Sequence, residues 1–394
     1  MIKIAIMGYG TVGSGVYEVI TTNQAVVDKN VGEELRIKYV LDLREFPGDP
    51  VMDVLTHDFE EILNDDEVKV VAEVMGGLRP AYDFTKRLLM AGKSVCTSNK
   101  ELVAEHGAEL IEVARAHGAN YLFEASVGGG IPIIRPLNTS LTADVILEIS
   151  GILNGTTNYM LTKMSQEGLD YDDVLKEAQA KGYAELHPEA DVEGFDACRK
   201  IAILTSLASG QQVDYKDIYT EGITKVTVED FTYAKKMGRA IKLLGVSKKV
   251  GDTYCAMVSP VMIDSSNPLY MVNDVFNAIF VKGNMLGDSM FYGSGAGKLP
   301  TASAVAGDIV DAARNLGAVT PVSWSQEKLA LAPVSEMKHR FFLRVKGAVS
   351  VLGMEKIDAG IEGEVGILTP SMTEAEYQEL AKGLDVISMI RVEE

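Results

Sequence analysis

Ile2-Lys-Ile-Ala-Ile-Met7 runs without a break into Gly8-Tyr-Gly10-Thr-Val-Gly13, and the reading of these twelve residues decides the fold. The apolar, β-branched run reads as a buried strand, and the stretch from Thr11 to about Ile20 reads as a helix. The glycines between them fall as GxGxxG. In that context they permit a tight turn and close backbone approach, while the helix N-terminus offers free N–H groups and a positive dipole end to a pyrophosphate. The stretch predicts a dinucleotide site with Gly8, Gly10, Thr11, Val12 and Gly13 at the phosphates.

The pattern continues outward. Leu35 to Leu41 and Val68 to Val74 read as strands, the latter followed by Gly76-Gly77 and a helix from Pro80 to Met90. Ser94 to Thr97 is a short strand, Glu101 to Ala116 a helix, and Asn120 to Ala125 another strand. Strands separated by helices in this rhythm predict an α/β domain, a Rossmann-like parallel sheet with crossover helices on both faces. Asp42 closes the second strand, where an acid accepts from the ribose hydroxyls of NAD. It lies 29 residues past Gly13, beyond the usual ~20, and residues 23–34 read as the insertion responsible. Arg44 can pair instead with a 2′-phosphate, so NAD and NADP both stay open. Ser98-Asn-Lys100-Glu101 reads as a capping box at the carboxyl edge of the sheet, where ligands bind in open α/β folds. Gly76, Thr97 and Ser98 join the expected cofactor contacts, and Lys100 is a cation set against the helix dipole.

From Ile133 the character changes to α+β. A strand from Val145 to Leu153 runs into Asn154-Gly-Thr-Thr-Asn158, a turn rich in capping residues. A long helix is expected over Glu229–Leu244, and strands over Thr253–Ile263 and Asn277–Lys282. Within this region Glu185-Leu-His-Pro-Glu-Ala-Asp191-Val-Glu-Gly-Phe-Asp196-Ala-Cys-Arg-Lys200 sets five carboxylates around one lysine. Asp196 and Lys200 share a helix face; alone, such a pair is worth on the order of 0.3 kcal/mol. Downstream, Gly293 to Val305 is a second glycine loop leading into a helix, read as the chain returning to the cofactor with Gly297. From Ser323 a small unit follows, with strands at 340–345, 364–368 and 386–392 and a helix at 373–382. The domains are therefore expected at 1–133 with 301–320, at 134–300 and at 323–394.

Composition bounds the function. The 394 residues carry 56 acidic and 37 basic side chains, a net charge of −19, which argues against nucleic acid or an anionic membrane as partner. No apolar run is long enough to span a bilayer, and the N-terminus lacks a signal-peptide pattern. Three widely spaced cysteines and no clustered histidines predict cytoplasmic thiols and no zinc site.

Taken in order, Gly8–Gly13, Cys96-Thr-Ser-Asn-Lys100, Gly151-Ile-Leu-Asn-Gly-Thr-Thr-Asn-Tyr159, Asp191–Lys200 and Gly293–Val305 resemble the motifs of homoserine dehydrogenases over residues 1–320. The resemblance implies reversible NAD(P)-dependent reduction of L-aspartate 4-semialdehyde to L-homoserine, in the branch toward threonine and methionine. It makes Lys100 and Lys200 the active-site lysines and places Glu185, Asp191, Asp196, Tyr183, Gly155 and Thr156 at the substrate. It also makes Glu124, with the carbonyls of Val127, Gly129 and Ile131, a loop for a monovalent cation such as Na⁺, an all-oxygen set. The second domain would serve substrate binding and dimerisation, giving a homodimer or homotetramer with a sheet across the two-fold through residues 253–282. The last unit resembles a shortened ACT domain in which 346–363 is too short for the first helix and second strand; an amino-acid pocket and threonine feedback are not expected. The rivals are an acylating dehydrogenase, for which no cysteine sits in a nucleophile loop, and a non-catalytic NAD(H)-binding redox sensor, which would not need the lysines and acids.

Overall fold

The computed structural model describes residues 1–320, 322, 324–347 and 353–393. They form two compact units, one of residues 1–144, 206–214 and 293–329, the other of 145–205, 215–292 and 330–394.

The first unit is built on six strands: β1 (Ile2–Met7), β2 (Leu35–Leu41), β3 (Leu55–Thr56), β4 (Val68–Glu73), β5 (Ser94–Thr97) and β6 (Tyr121–Leu122). Every pair is parallel, in the order β3-β2-β1-β4-β5-β6. The order reverses between β1 and β4, and a doubly wound sheet opens its ligand crevice at the carboxyl ends of the strands flanking that reversal. The expected insertion is a helix, Gln24–Val31, ended by Gly32 in the left-handed region. The strand expected over 120–125 stops at Leu122, and Glu124–Ser126 turns as 3₁₀.

Ile4, Ile6, Val16, Ile20, Val70, Val305 and Ile309 share one buried core, each such side chain contributing about 1.5–3 kcal/mol. The helix Lys298–Arg314 thus belongs to this unit and packs on the first helix, Thr11–Thr22. Small residues set the approach: a Cβ on Gly15 would stand 2.8 Å from both the Ala302 Cβ and the Lys298 carbonyl. The loop before that helix lies against the Gly129 turn, where a Cβ on Gly129 would meet the Gly295 carbonyl at 2.5 Å.

The second unit holds β7 (Ile146–Ile152), β8 (Ala240–Val250), β9 (Thr253–Ile263), β10 (Phe276–Gly283), β11 (Gly287–Ser294), β12 (Lys338–Lys346), β13 (Glu355–Ile357), β14 (Glu364–Leu368) and β15 (Val386–Val392). They lie in one sheet, ordered β11-β10-β7-β8-β9-β15-β12-β14-β13. The long helix expected at 229–244 is replaced by a nine-residue helix, Val228–Lys236, and then β8. Gly238 at φ +66° ends the helix, and Ala240–Val250 pairs with β9 over its whole length. That hairpin turns on Gly251-Asp252, with the glycine at φ +59°, the two-residue connection that a twisted hairpin favours.

Of the stretch set apart in the sequence reading at 323–394, residues 324–329 fall in the first unit and those from 330 onward are built into this sheet: β15 runs parallel to β9, with Val261 opposite Arg391 and Met262 opposite Val392. A three-residue second strand, β13, does pair with β14, contrary to the expectation that 346–363 has no room for one; residues 348–352 lie outside the described residues. Strand β9 pairs with β8 over its whole length and meets β15 on its other side only at Val261 and Met262, while β10 lies between β7 and β11. Among the described residues β11 and β13 are the sheet's outermost strands.

Side chains also fix the last strand. Glu393 Oε2 lies 2.9 Å from Lys248 Nζ on β8, Oε1 lies 3.4 Å from His339 Nδ1 on β12, and its amide donates to the Met262 carbonyl at 3.0 Å. Burial opposes its charge, but the His339 bond and the Lys248 ammonium outweigh that and pull the carboxyl from 4.5 down to about 2. A lowered acid stabilises the fold above its unfolded value and loses that contribution as pH falls through the folded value. Glu393→Gln should therefore cost about 3 kcal/mol at pH 7 by urea denaturation, the gap to wild type closing toward pH 2. A pH-independent gap would contradict the pairing.

Candidate active site

The dinucleotide end is shaped by backbone. Gly8 takes φ +97°, and a Cβ there would sit 3.0 Å from the Val74 carbonyl. A Cβ on Gly13 would run into the Gly8 carbonyl, whereas nothing lies within 4 Å of one on Gly10. Gly8 and Gly13 therefore close the turn, and Gly10 leaves its outer face open. Thr11 and Val12 begin the first helix. A cleft of about 590 Å³ opens here, lined by Gly8, Gly10, Asp42, Arg44, His57 and Gly76 among others.

Asp42 sits in that cleft already engaged. Its Oδ2 accepts from the Tyr9 amide at 2.7 Å and from Arg44 Nη2 at 2.9 Å. Its Oδ1 accepts from the Arg44 amide at 3.0 Å and Nε at 2.9 Å. The Arg44 guanidinium, with these amides, holds the Asp42 carboxyl well below the usual carboxylate range. Arg44 itself remains 61% exposed. His57 Nδ1 lies 2.6 Å from the Asp42 carbonyl, and since a carbonyl only accepts, Nδ1 carries the proton in that contact.

At the edge of β4 and β5, the buried Thr97 donates its hydroxyl to Glu73 Oε2 at 2.7 Å. The Asn99 amide donates to Thr97 Oγ1 at 2.9 Å. Burial pushes the Glu73 carboxyl up. The helix expected from Glu101 begins one residue earlier, at Lys100 (Lys100–Ala116), and its cap is Asn99, whose Oδ1 accepts from the Leu102 amide at 3.1 Å. The cap thus falls at Asn99 and not at the expected Ser98, and the Lys100 amide donates to the Ser98 carbonyl at 3.1 Å. Gly297, at φ +119°, precedes the helix Lys298–Arg314. Glu124, buried, accepts from the amides of Ile133, Ile134 and Arg135 at 2.6, 2.9 and 2.7 Å. Its charge is thus held by three N–H groups beside the turn that carries Val127, Gly129 and Ile131. Among the described residues no group of three or more His, Cys, Asp or Glu side chains is arranged to hold a metal ion.

In the second unit the acidic stretch folds as expected, with Asp196 and Lys200 on the helix Phe195–Ser209. Lys200 Nζ donates to Asp196 Oδ2 and to the Leu153 carbonyl, both at 2.7 Å, and both side chains are nearly buried, at 10% and 3% exposure. Asn154, which follows β7, donates through Nδ2 to Asp191 Oδ1 at 2.7 Å and to Asp196 Oδ2 at 2.9 Å. Its Oδ1 caps the helix Gly155–Glu167 by accepting the Thr157 amide at 2.9 Å. A Cβ on Gly155 would meet the Val275 carbonyl at 2.8 Å, so only glycine fits behind Asn154. Thr156 Oγ1 donates to the Tyr183 carbonyl at 2.6 Å, and the Tyr183 ring stacks edge-on against Tyr159. Glu185 is exposed, its loop held by Gln179 Nε2 on the Glu185 carbonyl at 3.0 Å.

Asp191, Asp196, Lys200, Thr156 and Tyr183 are thus joined through the end of β7, while Lys100 stands in the first unit. Sequence reading passed over Asn154, Glu73 and His57. Asn154 gave a signal as a capping residue after a strand, but nothing in the chain announced its bonds to two acids.

Two family models match, homoserine dehydrogenase over residues 132–310 and homoserine dehydrogenase, NAD-binding domain, over 8–124. The Bacillus subtilis homoserine dehydrogenase is 37% identical, with 99% of this chain and 96% of that protein covered. The crystal structure of a homoserine dehydrogenase from Thiobacillus denitrificans superposes with a TM-score of 0.90 at 33% identity, covering 100% of this chain and 98% of that one. A hyperthermophilic archaeal homoserine dehydrogenase in complex with NADPH gives 0.67 at 28% identity over 79% of this chain and 97% of its own. With the glycine cradle, the paired lysine and acids, and these matches over nearly the full length, the chain belongs to the homoserine dehydrogenase family, oxidoreductases with an NAD-binding domain.

Proposed function

We propose that Lys200 is the proton donor in the reduction of L-aspartate 4-semialdehyde to L-homoserine, on the way to threonine and methionine, with NADP as the preferred cofactor. The observation that carries it is the nearly buried Lys200 ammonium held 2.7 Å from Asp196. Held at the Gly8–Gly13 turn, NADPH would supply hydride to the aldehyde carbon. The oxygen of that aldehyde becomes an alkoxide, which a nearby cation stabilises and a proton neutralises; Lys200 supplies both. Asp196 and the Leu153 carbonyl aim the ammonium. Asp191 and Glu185 receive the substrate's α-ammonium, with Gly155, Thr156 and Tyr183 shaping the pocket, and Lys100 orients the substrate.

NADP is favoured by the state of Asp42. A carboxylate already accepting from Tyr9 and Arg44 is a poor ribose acceptor, while the exposed guanidinium of Arg44 lines the same cleft as His57. The archaeal relative solved with NADPH supports the same choice. Thr97, Ser98, Gly76 and Gly297 complete the proposed cofactor contacts. A monovalent cation such as Na⁺ suits the carbonyls of Val127, Gly129 and Ile131, which with Glu124 present only oxygen. We further assign the protein to the cytoplasm, in keeping with its buried thiols and the absence of a membrane-length apolar helix among the described residues, and to a homodimer or homotetramer. The C-terminal strands are read as an ACT-like unit fused into the substrate sheet.

Lys200→Ala should lose nearly all turnover while NADPH affinity, followed by fluorescence titration, stays near wild type; equal loss of cofactor affinity would mark a structural lysine. Arg44→Ala should lower kcat/KM with NADP by about 10- to 100-fold and leave that with NAD unchanged or higher; parallel losses would remove Arg44 from phosphate recognition. Millimolar L-threonine should leave the rate unchanged, and clear inhibition would contradict the reading of the C-terminal unit.

A further inference from the structure

Two acids of the second unit, Asp196 buried and Asp191 half-buried, present a problem of charge. Asp191 belongs to the short helical turn Glu189–Val192 and Asp196 to the next helix, yet both carboxylates converge on one side chain, Asn154. One amide nitrogen reaches an oxygen of each, at 2.7 and 2.9 Å. The second of these oxygens, Asp196 Oδ2, is also the one that holds Lys200.

Capping alone does not call for asparagine here. Ser, Asp and Asn cap a helix about equally well, because each supplies the oxygen that the third helical amide needs. Of the three, only asparagine has two N–H hydrogens fixed in a plane opposite its oxygen. The orientation of the amide follows from the bonds: the oxygen faces the Thr157 amide and hydroxyl, at 2.9 and 3.0 Å, and the nitrogen faces the two acids. Flipping it would set a carbonyl oxygen against two carboxylates. The backbone is equally constrained. Gly155 lies against the Val275 carbonyl, and Asn158, one turn on, donates to the carbonyls of Asp274 and Phe276 at 3.0 Å each. Asn154 therefore cannot drift away from the acids without unseating the helix start.

We propose that Asn154 is a positioning residue for the reaction: its amide clamps Asp191 and Asp196 together, so that the acid assigned to the substrate amine and the acid that aims Lys200 keep a fixed spacing. This rests on the assignment of Lys200 as proton donor. It ties the spacing between the amine end and the reacting oxygen of the substrate to this side chain, so that a change at Asn154 is felt at both ends.

The test uses Asn154→Ser and Asn154→Asp, both competent caps, beside Lys200→Ala in the same preparation. Asn154→Ser removes the clamp without changing charge. Its kcat for homoserine oxidation should fall about 10- to 100-fold and KM for homoserine should rise, with NADPH affinity and thermal midpoint near wild type. Asn154→Asp adds a carboxylate beside Asp191, Asp196 and Lys200, so the rising limb of its kcat/KM–pH profile should move to higher pH by about one unit, a displacement that loss of fold would not produce. If Asn154→Asp does not fold, Asn154→Ser alone decides. Homoserine KM, kcat and pH profile all like wild type would overturn the proposal. Turnover retained in Lys200→Ala would instead overturn the proton-donor assignment, and the two failures are read from different variants.

Discussion

A buried ammonium is the constraint on which the second unit depends. Lys200 is nearly excluded from water, and its charge is met by the Asp196 carboxylate and the Leu153 carbonyl. Removing one partner of such a pair typically costs about 3–5 kcal/mol, because the other charge is left buried and uncompensated. The position of Asp196 is thus tied to the carboxyl end of β7, and through Asn154 to Asp191. A folded, charged lysine that can release a proton and regain it needs surroundings of this kind: enough negative charge to hold it, and little freedom to turn away.

The dinucleotide unit solves a different problem by different means. There the binding surface is backbone, and the decisive residues are those that lack a side chain. Gly8 and Gly13 close the turn, Gly10 leaves it open, and Gly15 admits the helix Lys298–Arg314 against the first helix. The downstream glycine stretch, read in the sequence as a return to the cofactor, has a packing role that can be seen directly: it brings a distant helix into the core of the N-terminal sheet. Its proposed cofactor role through Gly297 is separate from that packing.

Local signals carried much of this. The strand-turn-helix at residues 2–22, the exact limits of β2, β5, β9, β14 and β15, and the shared face of Asp196 and Lys200 all follow from neighbours in sequence. What was misread depended on competition or distance. Glu229–Leu244 has apolar spacing that fits a helix, but Gly238 breaks it and the partner strand β9 claims the remainder. The cap before Lys100 passed from Ser98 to Asn99, since either residue can accept a helix amide. Asn154 reaches acids 37 and 42 residues away, and the C-terminal strands join a sheet whose next member ends at residue 263. No periodicity encodes such pairings; they exist only once the second unit has folded.

The most direct measurement is a crystal structure of the protein with NADP and L-homoserine bound. The homoserine hydroxyl oxygen should lie within about 3 Å of Lys200 Nζ, with Asn154 still bridging Asp191 and Asp196 and the substrate ammonium on the acidic side of the pocket. A hydroxyl directed at Lys100, with Lys200 turned away from the substrate, would contradict it.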